Sequence, residues 1–311
     1  MPSALIIGVA SQDGSYLAEF LLSKKYSVIG TTRKTGDDVA NIVHITSRIT
    51  LETADFLDEV SMENLFKKYQ PDEVYNLAAF SAPVASWEKS HLTGQITGLG
   101  PVMVLDAIRK HSPRSKFFQA SSREIFGTVN SKTATENTPV HPENPYAAAK
   151  AYAHFMTQVY RDSLGIFACA GILFNHESPR RPSQFVTRKI TTAVASKSKL
   201  HLWDLGSPRD RGYAKEYVEA MWLMLQNKTP KDYIIATNTL HTIADICQVA
   251  YSRVGLNYKD YVVLDPSSAP PSTDSVRGDY SLIQKDLGWS PKTSFKELIE
   301  LMVDADLKNS S

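Results

Sequence analysis

Tyr146 and Lys150 are four residues apart in the run Pro-Tyr-Ala-Ala-Ala-Lys. If this run is helical, both side chains lie on one face, because residues i and i+4 of a helix are neighbours. An ammonium group beside a phenol stabilises the phenolate, so Tyr146 could serve as a base near neutral pH. A second polar run, Ser-Ser-Arg-Glu, lies upstream at residues 121–124. Tyrosine and lysine at this spacing also occur by chance, so the surrounding elements decide the weight of the pattern.

Apolar runs and helical periods alternate from the start of the chain to residue 174. Short β-branched runs indicate buried parallel strands, and apolar residues at helical spacing indicate the helices between them. This alternation predicts βαβ units and a doubly wound parallel sheet, an α/β fold. Strands are expected at 4–7, 26–31, 73–77, 116–120 and 167–174, and helices at 16–24, 61–68, 99–110 and 147–163.

Composition and charge exclude several classes of partner. The formal net charge is +1, which gives no electrostatic reason to expect nucleic acid or an anionic membrane as partner. No apolar stretch approaches the ~20 residues that span a bilayer. Cys169 and Cys247 lie in apolar runs without metal-ligand spacing, so we expect reduced core thiols, no metal site and a cytoplasmic protein. The N-terminus runs directly into a strand, without a signal-peptide pattern.

The turn from the first strand to the first helix contains Gly8, Ser11, Gln12, Asp13 and Gly14. Glycines at such a turn let a pyrophosphate approach the backbone at a helix N-terminus. Ser11 stands where the glycine pattern of these turns has a middle glycine, and its Cβ narrows that space. The spacing predicts a dinucleotide site, and a plain strand-helix turn is the alternative.

Arg33 and Lys34 follow the second strand, about twenty residues after the glycine turn. An acidic residue at this point accepts from the ribose 2′-hydroxyl of NAD, whereas an arginine suits the 2′-phosphate of NADP. The sequence therefore favours NADP as the cofactor. Two solvated surface cations are the alternative.

Two further segments at the ends of strands are candidates for cofactor contact. Asp55 and Phe56 follow the third strand, where Asp55 could accept from an adenine amino group or simply form a turn. Leu77, Ala78 and Ala79 follow the fourth strand, and small residues there let the backbone pack against a cofactor.

Several long runs resemble one family. Tyr-x-x-x-Lys with an upstream serine is the active-site pattern of short-chain dehydrogenase/reductase enzymes. The runs at residues 12–22, 71–79, 171–181 and 217–225 resemble the GDP-mannose 4,6-dehydratases, extended members of that group that act on nucleotide sugars. The likeness covers nearly the whole chain, and runs of this length are far more specific than a glycine motif.

The resemblance implies a reaction and roles for its residues. Tyr146 takes the proton of the sugar 4-hydroxyl while hydride leaves C4 for NADP. Glu124 removes the C5 proton, water leaves from C6, and the hydride returns to C6, giving a 4-keto-6-deoxy sugar. Ser122 supplies a hydroxyl for the C4 oxygen, and Lys150 holds the nicotinamide ribose and tunes Tyr146. A surface glutamate at a strand end is the alternative for Glu124.

The resemblance also implies binding residues. His176 and Arg181 match residues that contact NADP. Lys189 makes physical sense as a diphosphate partner, although a lone lysine on a helix is more often a solvated cation. The residues expected on the nucleotide-sugar side are Ser81, Ser86, Asn175, Val186, Lys189 and Arg209.

Departures from the family pattern cluster in the sugar and nucleotide pockets. Arg123 replaces a serine beside Glu124, and Arg211 replaces a tryptophan. A C-terminal Arg-Pro-x-Glu nucleotide clamp has no counterpart at residues 269–274, which removes an arginine worth about 1.5–3 kcal/mol of binding. These changes leave three interpretations open: a dehydratase for GDP-mannose or another nucleotide sugar, a 4-keto reductase or epimerase, or an NADP-binding sensor with little catalysis.

Beyond residue 174 the alternation weakens, and helices are expected at 185–195, 216–226, 242–254 and 295–307, with a strand at 232–236 and a loop at 267–273. We predict an NADP-binding Rossmann domain over 1–170, which 212–240 rejoins. A smaller nucleotide-sugar-binding domain would comprise 171–211 and 241–311. The resemblance further implies a homodimer through the helices near Leu99 and Tyr146, or a homotetramer, although the short acidic loop after Arg33 puts the tetramer in doubt.

Overall fold

A computed structural model describes residues 1–33, 39–81, 83–129, 131–265 and 276–309. Seven of its strands form one sheet in which every neighbouring pair is parallel, with the order β11-β7-β5-β4-β1-β2-β3. The predicted α/β fold with a doubly wound parallel sheet is confirmed. The strands are β1 (Ser3–Ile7), β2 (Ser27–Thr32), β3 (Thr50–Thr53), β4 (Glu73–Asn76), β5 (Lys116–Ser122), β6 (Thr133–Ala134), β7 (Ala168–Leu173), β8 (Asn175–Glu177), β9 (Leu200–Leu202), β10 (Arg209–Tyr213), β11 (Tyr233–Ile235), β12 (Leu240–His241), β13 (Val262–Leu264) and β14 (Arg277–Gly278).

Helices cover both faces of the large sheet. Strand β1 shows why: Ala4 and Ile6 belong to the core under α1 and α7, while Leu5 and Ile7 face the core under α2, α4 and α5. Successive strand residues point to opposite faces, so a strand without polar positions must be covered twice. The helices are α1 (Gln12–Ser23), α2 (Glu59–Tyr69), α3 (Ser90–Thr93), α4 (Gly100–His111), α5 (Pro145–Leu164), α6 (Val186–Ser196), α7 (Ala214–Gln226), α8 (Ile243–Arg253), α9 (Ser281–Leu287) and α10 (Phe295–Asn309).

A separate apolar core lies among α6, α8 and α10. Three small sheets lie outside the large one, with the strand orders β12-β10-β8, β13-β9 and β14-β6. Strand β11 pairs with β7 and so extends the large sheet from a segment 60 residues later in the chain. The division into two domains stays a prediction.

The sequence did not indicate several elements. They include the 3₁₀ helix Ala40–Arg48, helix α9 and the three small sheets. The loop expected at residues 267–273 and the missing clamp at residues 269–274 both fall outside the described residues. The same holds for Lys34 and for most of the acidic loop that follows Arg33. None of the described helices combines the length and the apolar composition that a bilayer-spanning segment requires.

The glycine turn brings the start of α1 against the end of β1. Gly8 has φ +88°, a left-handed conformation that favours glycine. A Cβ on Gly14 would stand 2.3 Å from the Gly8 carbonyl oxygen and 2.8 Å from the Val9 Cα, so only glycine fits there. Ser11 caps the helix: its Oγ accepts from the Gly14 amide at 3.0 Å and donates to the Gly8 carbonyl at 2.8 Å.

We expect Gly14→Ala to lower the free energy of unfolding by about 1–3 kcal/mol, because the extra methyl group enters a packed backbone contact. Gly94→Ala is the matched control, since no described atom lies within 4 Å of a Cβ built there. Thermal unfolding measures both. A Gly14→Ala variant that unfolds at the same temperature as the control would show that the turn can open without cost.

Candidate active site

A cavity of about 620 Å³ opens at the carboxyl ends of β1, β4, β5 and β7, where the polar ends of parallel strands meet. The N-terminus of α1 and the first turns of α5 form part of its wall. More than half of the site residues predicted from the sequence line this cavity. They are Ser11, Gln12, Asp13, Leu77, Ala79, Ser81, Ser122, Glu124, Tyr146, Lys150, Asn175, His176 and Arg181.

Helix α5 places Tyr146 and Lys150 on one face, as their spacing predicts. The helix begins where the Asn144 side chain accepts from the Ala147 amide at 2.8 Å, with Pro145 in the first turn. It ends at Gly165, which has φ +67°. Tyr146 lies in the first turn and Lys150 one turn later, and both are buried.

The pKa of the Tyr146 phenol reflects its buried position. Burial raises the pKa of Tyr146 to about 12, a hydrogen bond with Ser122 lowers it, and the Glu124 carboxylate raises it. The Lys150 Nζ lies 5.9 Å from the centre of the tyrosine ring and donates to the Ala120 carbonyl at 2.6 Å. Burial also lowers the pKa of Lys150 to about 8. Burial is therefore the largest influence on the pKa of Tyr146, and stabilisation of its phenolate by Lys150 stays a prediction.

Ser122 and Glu124 lie in the turn that follows β5. Ser122 is the last residue of the strand, and its Oγ accepts from the Glu124 amide at 3.2 Å, which starts the 3₁₀ helix Arg123–Phe126. The Glu124 side chain is 31% exposed, whereas that of Arg123 is 5% exposed. Arg123 does pair with Glu124, with 3.5 Å between Nη1 and Oε1. The cavity thus contains a phenol, a hydroxyl and a carboxylate, which are a proton acceptor, a hydrogen-bond donor and a second base.

An ion pair joins α1 to β8 beside these groups. His176 Nε2 lies 2.8 Å from Asp13 Oδ2, and Nδ1 lies 2.7 Å from the Phe174 carbonyl. Both partners are acceptors, so the ring donates from both nitrogens and is an imidazolium. Burial opposes the charge on each group. The attraction nevertheless raises the pKa of His176 and lowers the pKa of Asp13.

Gln12 and Arg181 surround this pair. Gln12 Nε2 donates to Asp13 Oδ1 at 3.1 Å and to the His176 carbonyl at 3.2 Å. Arg181 Nη1 donates to the same carbonyl at 2.9 Å, and its guanidinium carbon lies 4.0 Å from the centre of the Phe185 ring. The two residues hold the start of α1 and the loop after β8 in a fixed relation.

Several predicted cofactor residues lie outside the lining of the cavity. A Cβ on Gly8 would stand 3.2 Å from the Ala78 amide, so these two residues, with Gly14, form the packed layer below the turn. Asp55 Oδ1 accepts from the Leu57 amide at 2.9 Å, the geometry of a local turn. Phe56 is buried in the core, and a Cβ on Gly100 would stand 2.6 Å from its ring. Arg33 is exposed after β2.

Most residues predicted on the nucleotide-sugar side also lie outside the lining. Ser86 is fully buried, donates to the Pro83 carbonyl at 2.5 Å and accepts from the Tyr146 amide at 3.3 Å, so it supports α5. Lys189 is exposed on α6, which begins at Val186. Arg209 Nη1 donates to the Pro208 carbonyl at 2.8 Å. Of the predicted set, Ser81 and Asn175 line the cavity.

Arg211, the residue in place of the family tryptophan, is buried and donates to the His241 carbonyl at 2.6 Å. Burial lowers its pKa to about 10, and the neighbouring Glu177 carboxylate opposes that effect. Arg211 is not among the residues that line the cavity described above. Its hydrogen bond joins β10 to β12, and its charge interacts with Glu177 on β8. Arg211 therefore stabilises the packing of these strands.

The sequence did not indicate four polar residues of the cavity wall, which are Asn41, Ser121, Arg180 and Ser183. The Ser121 Oγ is buried and has no hydrogen-bond partner among the described residues. Asn41 donates from Nδ2 to the Ala10 carbonyl at 3.1 Å. Arg180 donates to Ser15 Oγ at 3.1 Å and pairs with Glu19. Ser121 and Arg180 each adjoin a residue that was predicted, so their runs were the available signal; Asn41 gave none.

Comparison with known proteins decides the family. A family model described as GDP-mannose 4,6 dehydratase matches residues 5–302. The chain belongs to the GDP-mannose 4,6 dehydratase family. This confirms the family predicted from the sequence and, with it, the predicted enzyme class of nucleotide-sugar 4,6-dehydratases. GDP-mannose 4,6 dehydratase 2 of Arabidopsis thaliana is 44% identical over 98% of this chain and 87% of its own length. The Homo sapiens GDP-mannose 4,6 dehydratase is 36% identical over 98% and 91%.

A solved structure outside the GDP-mannose 4,6 dehydratases has the same fold. The UDP-glucose 4-epimerase of Thermus thermophilus, in complex with NAD, superposes with a TM-score of 0.86 at 26% identity and covers 98% of both chains. The scaffold of the GDP-mannose 4,6 dehydratase family is thus shared with an epimerase, and the residues at the cavity must distinguish the reactions.

We expect the Asp13–His176 pair to make stability depend on pH. The pKa of His176 is raised above 6.5, so its contribution is complete below that value and is lost as pH rises through the folded-state pKa. The pKa of Asp13 is lowered below 3.8, so its contribution is present above that value and is lost in acid. The melting temperature of the wild type should therefore fall more steeply than that of His176→Gln as pH rises above 6.5.

His201→Gln, at an exposed site on β9, is the control and should follow the wild-type slope. Equal slopes for the wild type and His176→Gln would show that the imidazole is neutral.

Proposed function

We propose that this protein is an NADP-dependent nucleotide-sugar 4,6-dehydratase, which converts GDP-mannose or a related nucleotide sugar to its 4-keto-6-deoxy derivative. The observation that carries the proposal is the presence of Tyr146, Ser122 and Glu124 in the wall of one cavity. Removing a hydroxyl proton and then a carbon-bound proton requires two separate bases. A simple reductase or epimerase on the same scaffold has no need of the carboxylate.

The residues of the cavity fit a nicotinamide dinucleotide. The turn from Gly8 to Gly14 leaves the N-terminus of α1 at the cavity, where backbone amides suit a pyrophosphate. The buried Lys150 and the unpartnered hydroxyl of Ser121 offer donors for a ribose and a carboxamide. When bound, an oxidised nicotinamide supplies a positive charge and accepts hydride from C4 of the sugar, and the reduced ring returns it to C6.

The chain's own residues move the protons. Tyr146 accepts the proton of the 4-hydroxyl as the C4 ketone forms, and Ser122 donates a hydrogen bond to that oxygen. Burial raises the pKa of Tyr146, and the positive charges of Arg181 and of a bound oxidised nicotinamide would favour the phenolate. Glu124 then removes the C5 proton, which the ketone has acidified, and the C6 hydroxyl leaves as water. A proton returns to C5, so the net change is the loss of one water.

The test is incubation of the protein and NADP with GDP-mannose and a panel of other nucleotide sugars, read by mass spectrometry. The expected product is lighter by one water and, in D₂O, carries deuterium at C5. Glu124→Gln should reduce this product roughly 10²–10⁴-fold, the usual contribution of a general base, and Tyr146→Phe should do the same. Glu88→Gln, an exposed carboxylate, is the control.

Absence of the water-loss product from every nucleotide sugar would contradict the proposal. Reduction or epimerisation of a 4-keto-6-deoxy sugar by the same protein would then assign it to the alternative reactions.

The choice of NADP over NAD is supported by Arg33 after β2, an exposed cation at the strand end where a ribose 2′-phosphate is recognised. We expect Arg33→Ala to weaken NADP binding about ten- to a hundredfold, because a charge-assisted hydrogen bond is worth about 1.5–3 kcal/mol. Affinity for NAD should stay nearly unchanged. Titration calorimetry with both cofactors measures the ratio, and equal losses for both would assign Arg33 another role.

Association as a homodimer is supported by one face of α5. Tyr152, Phe155 and Val159 are 43–48% exposed and recur at helical spacing, and Leu99 is half exposed beside them. A contiguous exposed apolar stripe of this kind marks a protein interface. Light scattering at micromolar concentration should give the mass of a dimer or a tetramer, and Phe155→Glu should give a monomer. A monomer mass for the wild type would contradict the proposal.

A cytoplasmic location is supported by Cys169 and Cys247. Both thiols are free and buried, and burial raises the pKa of each to about 12, so neither is reactive. Unpaired thiols suit a reducing compartment.

A further inference from the structure

Arg123 is a buried cation beside the carboxylate of the cavity. Its side chain is 5% exposed, and a guanidinium removed from water is destabilising unless acceptors surround it. Two oxygen atoms contact the guanidinium. Nη1 lies 3.5 Å from Glu124 Oε1, and Nη2 donates to the Gly127 carbonyl at 3.3 Å.

The two members of the pair differ in their access to water. The Glu124 side chain is 31% exposed and lines the cavity, whereas Arg123 is enclosed by protein and is not part of the lining. The guanidinium therefore contacts one carboxylate oxygen from the protein side, while the Glu124 side chain reaches the cavity. A restraint in this position affects the direction of the carboxylate more than the entry of a ligand.

The backbone of the turn is already fixed. Ser122 Oγ accepts from the Glu124 amide at 3.2 Å, and the Gly127 amide donates to the Glu124 carbonyl at 3.2 Å. The His141 amide donates to the Ile125 carbonyl at 2.9 Å. Gly127 has φ +57°, and a Cβ there would stand 2.1 Å from the His141 carbonyl oxygen. The torsions of the Glu124 side chain are thus the remaining freedom of the base, and the contact with Arg123 restricts them.

We propose that Arg123 is a positioning residue for proton removal at C5, a role that rests on the proposed dehydratase function. Its guanidinium keeps the Glu124 carboxylate directed into the cavity. Without it, the carboxylate rotates among several orientations, and the reactive one is less populated. The step at C5 then slows, while the oxidation at C4 by Tyr146 and the affinity for the nucleotide sugar do not change.

The test compares Arg123→Met, which keeps the length of the side chain and removes its charge, with Arg123→Lys, which keeps the charge. Arg114→Met, at an exposed arginine, is the matched control. Three quantities are measured on the enzyme with NADP and its nucleotide sugar: kcat and KM for water loss, incorporation of deuterium at C5, and the transient absorbance that reports oxidation at C4.

We expect Arg123→Met to lower kcat and C5 incorporation tenfold to about a hundredfold, since a misplaced catalytic group loses that much. KM and the oxidation at C4 should stay within about twofold of the wild type, the pattern of an interaction used after binding. Arg123→Lys should recover part of the loss.

An equal loss at C4 and C5, a change confined to KM, or unchanged C5 incorporation in either folded variant would overturn the proposal. Thermal unfolding verifies folding, and if Arg123→Met does not fold, Arg123→Lys decides by the same criteria. A wild-type protein that forms no water-loss product refutes the proposed function itself. A wild type and an Arg123→Met variant of equal activity refute only the role of Arg123.

Discussion

Buried charge that must be matched is the constraint on which the cavity depends. His176 is paired with Asp13, Arg123 contacts Glu124, and Lys150 donates to the Ala120 carbonyl. Each of these cations is mostly removed from water, where an unmatched charge would cost several kcal/mol. The Lys150–Ala120 hydrogen bond and the Asp13–His176 pair also join separate parts of the chain. The Asp13–His176 pair alone connects segments 163 residues apart, so the wall of the cavity and the polarity of its groups are set together.

The same constraint separates the reactive groups from the groups that support them. Tyr146 is buried, and burial is the largest cause of its raised pKa. Ser86 and Asn144 hold the first turn of α5, and neither lines the cavity. Asp210 is a third kind of support. Its carboxylate is buried and accepts from the amides of Thr237, Asn238 and Gly278, which fixes the loops around the small sheets.

Local sequence patterns predicted the helices and strands well, whereas contacts between distant segments could not be predicted from the sequence. The shared face of Tyr146 and Lys150 follows from helical spacing alone, and the strand order of the large sheet is compatible with the alternation of elements. Two kinds of detail were beyond the sequence. The pKa of Tyr146 depends on burial that many residues create together. Arg211, which replaces a tryptophan of the family pattern, donates to the His241 carbonyl, a partner that only the folded chain brings near.

The two-stranded sheet β14-β6 affects the order in which the chain can fold. Among the described strands, β6 pairs with β14 alone, and Thr133 lies opposite Arg277 and Ala134 opposite Gly278. During synthesis on the ribosome, β6 therefore has no strand to pair with until more than 140 further residues have been added. Pairings of such high sequence separation form late and slowly. Removing the C-terminal segment should thus leave a species in which β6 lacks its partner while the first strands of the large sheet can still pair.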